Sequence, residues 1–216
     1  MPRHSSIKKV LASLLLAAAC MPAFADGLKS LENFLRDARS GRAEFTQVVT
    51  SPPRQGEAAR SKTSRGTFEF QRPSRFRFDY TKPFPQTLVA DGQTLWMHDP
   101  DLNQVTARKQ DQVLAATPAA IIAAAPDLQA LQRDFELKAA PAQGGLEWVE
   151  ARPRQREGQL DRVRVGFRGD QLAALEILDS FGQRSVISFE RMELNPPLAA
   201  RTFQFTPPPG ADVIRQ

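Results

Sequence analysis

The chain has 216 residues, with 29 Lys and Arg against 24 Asp and Glu, a formal net charge of +5 and a single cysteine, Cys20. Arg3, Lys8 and Lys9 fall in the first 25 residues, which hold no acid, so the remainder is close to neutral and has little compositional case for nucleic-acid binding. Beyond residue 20 there is no thiol, which excludes disulfides and every Cys-His site from that part of the chain.

Lys8 and Lys9 precede an apolar run, Val10 to Ala19, and "MPAFAD" puts Ala23 and Ala25 at the two positions a signal peptidase reads. The pattern predicts a secretory signal cut after Ala25, and the run is too short for a stable membrane anchor. The expected organisation is a signal peptide at 1–25 and one domain at 26–216. Cys20 leaves a second reading open, because "LAAAC" is similar to a lipoprotein signal in which Cys20 is lipidated and retained.

"GLKSLENFLRDAR" at 27–39 sets Leu28, Leu31, Phe34, Leu35 and Ala38 on one side of an amphipathic helix. From Gly41 the period changes to two. Strands are predicted at 42–50, 65–71, 75–80, 86–90, 94–99 and 104–108, with the polar, Pro-bearing stretch 51–64 as a hairpin loop and Asp91-Gly92 as a turn. Thr117-Pro118 begins a helix over "AAIIAAA", and "DLQALQRD" at 127–134 forms a second short one. Strands resume at 135–140, 146–152, 162–168, 173–179 and 184–194, with a short one at 203–206. About a dozen short strands and few helices imply a mainly β fold with some α: a strongly curved sheet or open antiparallel barrel with helices over its concave side or mouth.

The catalytic inventory is thin. His98 is the one histidine left after processing; it sits in "LWMHDPD" and reads as a solvent-facing turn residue with no nucleophile near it. No metal-ligand spacing and no Gly-rich phosphate loop occur. Glu69, Asp79, Glu147, Glu150 and Glu176 form no spaced pair and read as a solvated face.

The apolar inventory is richer. In "FEFQRPSRFRFDY" at 68–80, Phe68, Phe70, Phe76, Phe78 and Tyr80 share one parity and hence one face, and Arg72 has that parity too. Leu95 and Met97 are one possible inward pair, with Trp96 the opposing choice; Ile121 and Ile122 lie on the Ala-rich helix. A packed core and a cavity for a hydrophobic ligand are both open on these residues. For Arg72 the competing reading is that Pro73 ends the strand, the parity fails, and the arginine is an ordinary surface residue.

"AEFTQ" at 43–47, "QRPSRFRFDY" at 71–80, "LVADGQTLWMHDPDLNQVT" at 88–106, "TPAAIIA" at 117–123 and "FQFTPPPGADVI" at 203–214 occur in the order found in the LolA family of outer-membrane lipoprotein carriers, which the chain resembles over nearly its whole length after the signal. The resemblance implies an incomplete β-barrel closed by a lid of short helices around a hydrophobic cavity. It implies a monomeric periplasmic carrier, not an enzyme, without metal or cofactor. Such a carrier takes triacylated lipoproteins from an inner-membrane ABC transporter and passes them to an outer-membrane acceptor lipoprotein. Arg72, followed by Pro73, matches the family arginine that hydrogen-bonds the lid when the cavity is empty, and Phe76 matches an apolar position at the cavity mouth. Phe68, Phe70, Phe78, Tyr80, Leu95, Met97, Ile121 and Ile122 are the further cavity-lining candidates. Arg75, Arg77 and the long 51–64 loop depart from the family pattern. A LolB-like receptor lipidated at Cys20 and a periplasmic lipid-sensing regulator are the alternatives.

Overall fold

A computed structural model describes residues 27–53, 58–110, 125, 127–155 and 159–216. The expected signal, Cys20, Ile121 and Ile122 lie outside the described residues. The order of elements is α1 (Gly27–Asp37), β1 (Ser40–Ser51), β2 (Arg60–Gln71), β3 (Arg75–Lys82), β4 (Gln86–Ala90), β5 (Thr94–Asp99) and β6 (Gln104–Lys109). Then follow α2 (Leu128–Asp134), β7 (Phe135–Gln143), β8 (Leu146–Pro153), β9 (Leu160–Arg168), β10 (Gln171–Asp179), β11 (Arg184–Leu194), a 3-10 turn (Ala200–Phe203) and β12 (Asp212–Arg215).

The strands make one open sheet in the order β12-β6-β5-β4-β3-β2-β1-β11-β10-β9-β8-β7. Two runs of hairpin neighbours, β1–β6 and β7–β11, are joined by antiparallel pairing of β1 with β11. β12 adds to β6 in parallel. β7 and β12 are the two edges of the sheet, and β6 lies next to β12. Ahead of β7, Ala125, Leu128 and Leu131 pack on the core.

Period-two patterning explains the strands. On β9, Val163, Val165 and Phe167 are buried while Arg162, Arg164 and Arg168 point the other way. Register breaks at Arg42/Glu44 on β1, Arg65/Gly66 on β2 and Leu172/Ala174 on β10 bend the strands and curve the sheet. Gly66 marks a close approach: a Cβ there would lie 1.9 Å from the Asp79 carbonyl oxygen. α1 lies on β7–β10 and buries Leu31, Phe34 and Leu35, with Ala38 buried just after it. Each large side chain of that set contributes about 1.5–3 kcal/mol by leaving water.

Three boundaries differ from the sequence reading. β1 and β2 extend into 51–64 from both sides, taking Ser51 and Arg60 to Ser64, with Ser51 opposite Arg60 and the Thr50 and Ser61 hydroxyls 2.9 Å apart. The ladder needs only backbone groups there, so polar residues do not end it. Residues 203–206 form no strand. Phe203 is buried against the outer face and Thr202 accepts a hydrogen bond from Arg77 at 3.3 Å, so these apolar residues cover the sheet instead of joining it. β12 was not anticipated; its four residues carry too little pattern to announce a strand.

Candidate functional site

Paired residues in a ladder point to the same face. Starting from Phe68 opposite Phe78, the register therefore puts Ala43 and Phe45, Phe68 and Phe70, Phe76, Phe78 and Tyr80, Leu88 and Ala90, and Leu95 and Met97 on the concave side. Phe189 of β11 joins them opposite Phe45. The rings interlock: Phe68 and Phe78 have centroids 4.4 Å apart, Phe45 and Tyr80 5.0 Å, Phe68 and Phe189 5.3 Å. Phe34 of α1 closes the cluster at 5.9 Å from both Phe70 and Phe167.

Of the sequence candidates, Phe68, Phe70, Phe76, Phe78 and Leu95 are buried in this cluster. Tyr80 is half-buried, and burial pushes its phenol up to about 12. Met97 differs: it has the expected face but is 41% exposed. One ladder row shows the trend, running from buried Phe78 through half-buried Leu88 to exposed Met97 and, across Thr106, to Ile214 at 36%. The concave face is thus an aromatic core at β1–β3 that becomes an uncovered apolar surface toward β5 and β12. A cleft of about 270 Å³ opens beside Tyr80, lined also by Lys62, Ser64, Phe84, Gln86 and Leu102. The Lys62 ammonium lies 4.9 Å from the Phe84 ring centroid.

Arg72 follows β2 and keeps its inward parity. Its backbone N–H donates to the Arg39 carbonyl at 2.8 Å. Its guanidinium donates through Nε to the Ala38 carbonyl at 2.9 Å and through Nη1 to the Ala125 carbonyl. It lies 5.5 Å from the Phe34 ring centroid and 5.9 Å from that of Phe70, a cation over aromatic faces. Nη2 is buried and has no partner among the described residues. Burial, with a smaller contribution from the charge of Arg39, lowers the guanidinium pKa to about 10, so Arg72 remains a cation at neutral pH. The arrangement ties the carbonyl end of α1 to the chain just before α2 through one rigid fork. The surface reading of Arg72 is set aside.

The polar candidates lie elsewhere. His98 is in strand, not turn: it is half-buried on the outer face with its ring 5.8 Å from Phe205, beside Trp96, whose Nε1 donates to Asp91 at 2.8 Å. Glu176 is buried, not solvated, and accepts from Arg184 at 2.7 Å, with Arg164 3.9 Å away. Burial alone would raise its pKa; the Arg184 hydrogen bond and the charges of Arg184, Arg164 and Arg162 outweigh that and hold it below the usual carboxylate range. Among the described residues no group of three His, Cys, Asp or Glu could hold a metal ion. The sequence reading missed Phe45 and Phe189 as members of the cluster, although Phe45 alternating with Ala43, and Phe189 with Ile187, carried the signal.

The family model for the outer membrane lipoprotein carrier protein LolA matches residues 36–206. The chain belongs to the LolA family. It is 63% identical to an outer-membrane lipoprotein carrier protein of Albidiferax ferrireducens, over 96% of this chain and 100% of that one. It is 54% identical to the protein of the same name from Methylibium petroleiphilum, over 95% and 97%. A crystallised conserved protein of Thermus thermophilus, at 12% identity, shares the fold with a TM-score of 0.51 over 88% of this chain and 96% of that one.

Proposed function

We propose that this LolA-family protein is a periplasmic carrier of triacylated lipoproteins. It accepts them as an inner-membrane ABC transporter releases them, covers their acyl chains on its concave face, and delivers them to an acceptor lipoprotein at the outer membrane. The signal at 1–25 exports it, and it works as a monomer. The single observation that carries the reading is the concave apolar face, packed at β1–β3 and open from Leu88 to Met97 and Ile214. Each buried methylene is worth about 0.8 kcal/mol, so several acyl chains hold a lipoprotein in its first membrane, and transit through water needs a surface of this kind.

In this reading Arg72 is the gate. Empty, it holds α1 and the approach to α2 together through the Ala38 and Ala125 carbonyls. Acyl chains reach Phe68, Phe70, Phe76 and Phe78 only when that cover moves and the bonds break. Their loss weakens the loaded state, and a weaker hold permits handover to an acceptor that binds more tightly. Inner-membrane vesicles, ATP and the transporter are incubated with the purified protein. Lipoprotein is expected in the soluble fraction, bound to the carrier; its retention in the vesicles rejects the reading. Arg72→Leu is expected to load normally and release slowly.

A further inference from the structure

Gln110 follows β6 at the end of the sheet that carries the β2–β3 and β4–β5 turns, and it is only 2% exposed. Its amide is used on both sides: Nε2 donates to the Ser74 carbonyl at 2.6 Å and Oε1 accepts from the Gly92 N–H at 2.9 Å. Its backbone N–H donates to the Gln93 carbonyl at 2.8 Å. Both turns need support. Ser74 has φ +65°, which a residue with a Cβ rarely adopts, and Gly92 has φ +107°.

Ser74 is two residues from Arg72. Residues 110 and 125 are therefore both bonded to one short turn, 72–74: the first through Gln110 to Ser74, the second through Arg72 to Ala125. On its other side the turn is held by the Arg72 N–H on Arg39. We propose that Gln110 is a positioning residue for Arg72, fixing the turn so that the guanidinium meets the Ala38 and Ala125 carbonyls together. Only a side chain of this length with a donor and an acceptor at its tip spans the two turns. An apolar replacement leaves the Ser74 carbonyl and Gly92 N–H unpaired and the turn free to shift. The inference rests on the gating role of Arg72.

The test uses a fluorescent synthetic triacylated cysteinyl lipopeptide and measures its release from the full mature protein into excess phosphatidylcholine vesicles. Wild type, Arg72→Leu, Gln110→Met and the double variant are compared. Gln110→Met is expected to slow release by roughly 3- to 10-fold, the same direction as Arg72→Leu, and to add nothing on the Arg72→Leu background, since two residues acting through one contact are not additive. Gln110→Glu at pH 5, where a buried carboxyl is protonated and offers one donor and one acceptor, is expected to release like wild type at that pH. It also decides the matter if Gln110→Met folds poorly. Release from Gln110→Met at the wild-type rate, an equal further slowing in the double variant, or slow release from Gln110→Glu at pH 5 overturns the proposal. Wild-type release from Arg72→Leu removes the gate and this inference together, whereas a slow Arg72→Leu with an additive Gln110→Met removes this inference alone.

Discussion

The guanidinium of Arg72 exchanges most of its water for two carbonyls, one at the end of α1 and one before α2. A single ammonium cannot reproduce this, because it lacks two donors set at a fixed angle. Arg72→Lys is therefore expected to resemble Arg72→Leu in lipopeptide release, slower than wild type by roughly 10-fold if about 1.4 kcal/mol of closed-state bonding is lost. Wild-type release from Arg72→Lys would mean that charge alone suffices and the fork is irrelevant. That Arg72 points inward was legible from parity with Phe68 and Phe70. Its partners, Ala38 and Ala125, were not. A bond to the lid was implied by the family resemblance alone and falls on residues outside those described, whereas Ala38 lies 34 residues back in sequence and is brought there by the packing of α1. Met97 shows the converse limit. Parity assigned its face correctly but could not say whether anything covers that face.

At the scale of elements, alternation located most strands, and the errors came where side chains do not decide. β1 and β2 continue as a polar ladder, and β12 is too short to read. Gly66 was unremarkable in the sequence because the contact that requires it is backbone from the next strand. Gly66→Ala forces its new Cβ against the Asp79 carbonyl, which cannot yield without disturbing the β2–β3 register. The expected loss is about 1–3 kcal/mol, a fall of roughly 3–10 °C in Tm for a domain of this size. An unchanged melting curve would show that the bulge relaxes freely. Glu176 tests the outer face. Its folded pKa is depressed, so its contribution is complete above the unfolded value and is lost as pH falls through the folded one. Glu176→Gln is expected to cost about 1–2 kcal/mol at pH 7, with Arg184 half solvated, and the gap to wild type is expected to narrow as acid protonates Glu176. A stability gap in urea titrations that does not narrow at any acid pH at which the fold persists would assign the loss to packing.

For the whole molecule the decisive feature is that the sheet does not close. β7 and β12 are its two edges, and its inward side chains are buried at Phe68, Phe70, Phe76 and Phe78 but exposed at Met97. None of this follows from strand positions. Which strands pair at long range, here β1 with β11, is settled by competition among many registers with similar patterning. Composition gave the phenylalanines but not the gradient of exposure across them. That gradient makes a prediction with a built-in control. Residues 26–216 contain two methionines, exposed Met97 on the open part of the concave face and half-buried Met192 on β11. Peroxide converts an exposed thioether to the sulfoxide, and cover by an acyl chain slows that reaction. Loading with the triacylated lipopeptide is therefore expected to slow oxidation of Met97 several-fold, read by mass spectrometry of its peptide, while Met192 changes little. Because Met97 lies one strand beyond Leu88 in the row that begins at Phe78, its protection would mark how far the acyl chains extend along the face. Equal oxidation of Met97 with and without lipopeptide, at a saturation verified by fluorescence, would place the chains elsewhere and separate cargo binding from the open end of the sheet.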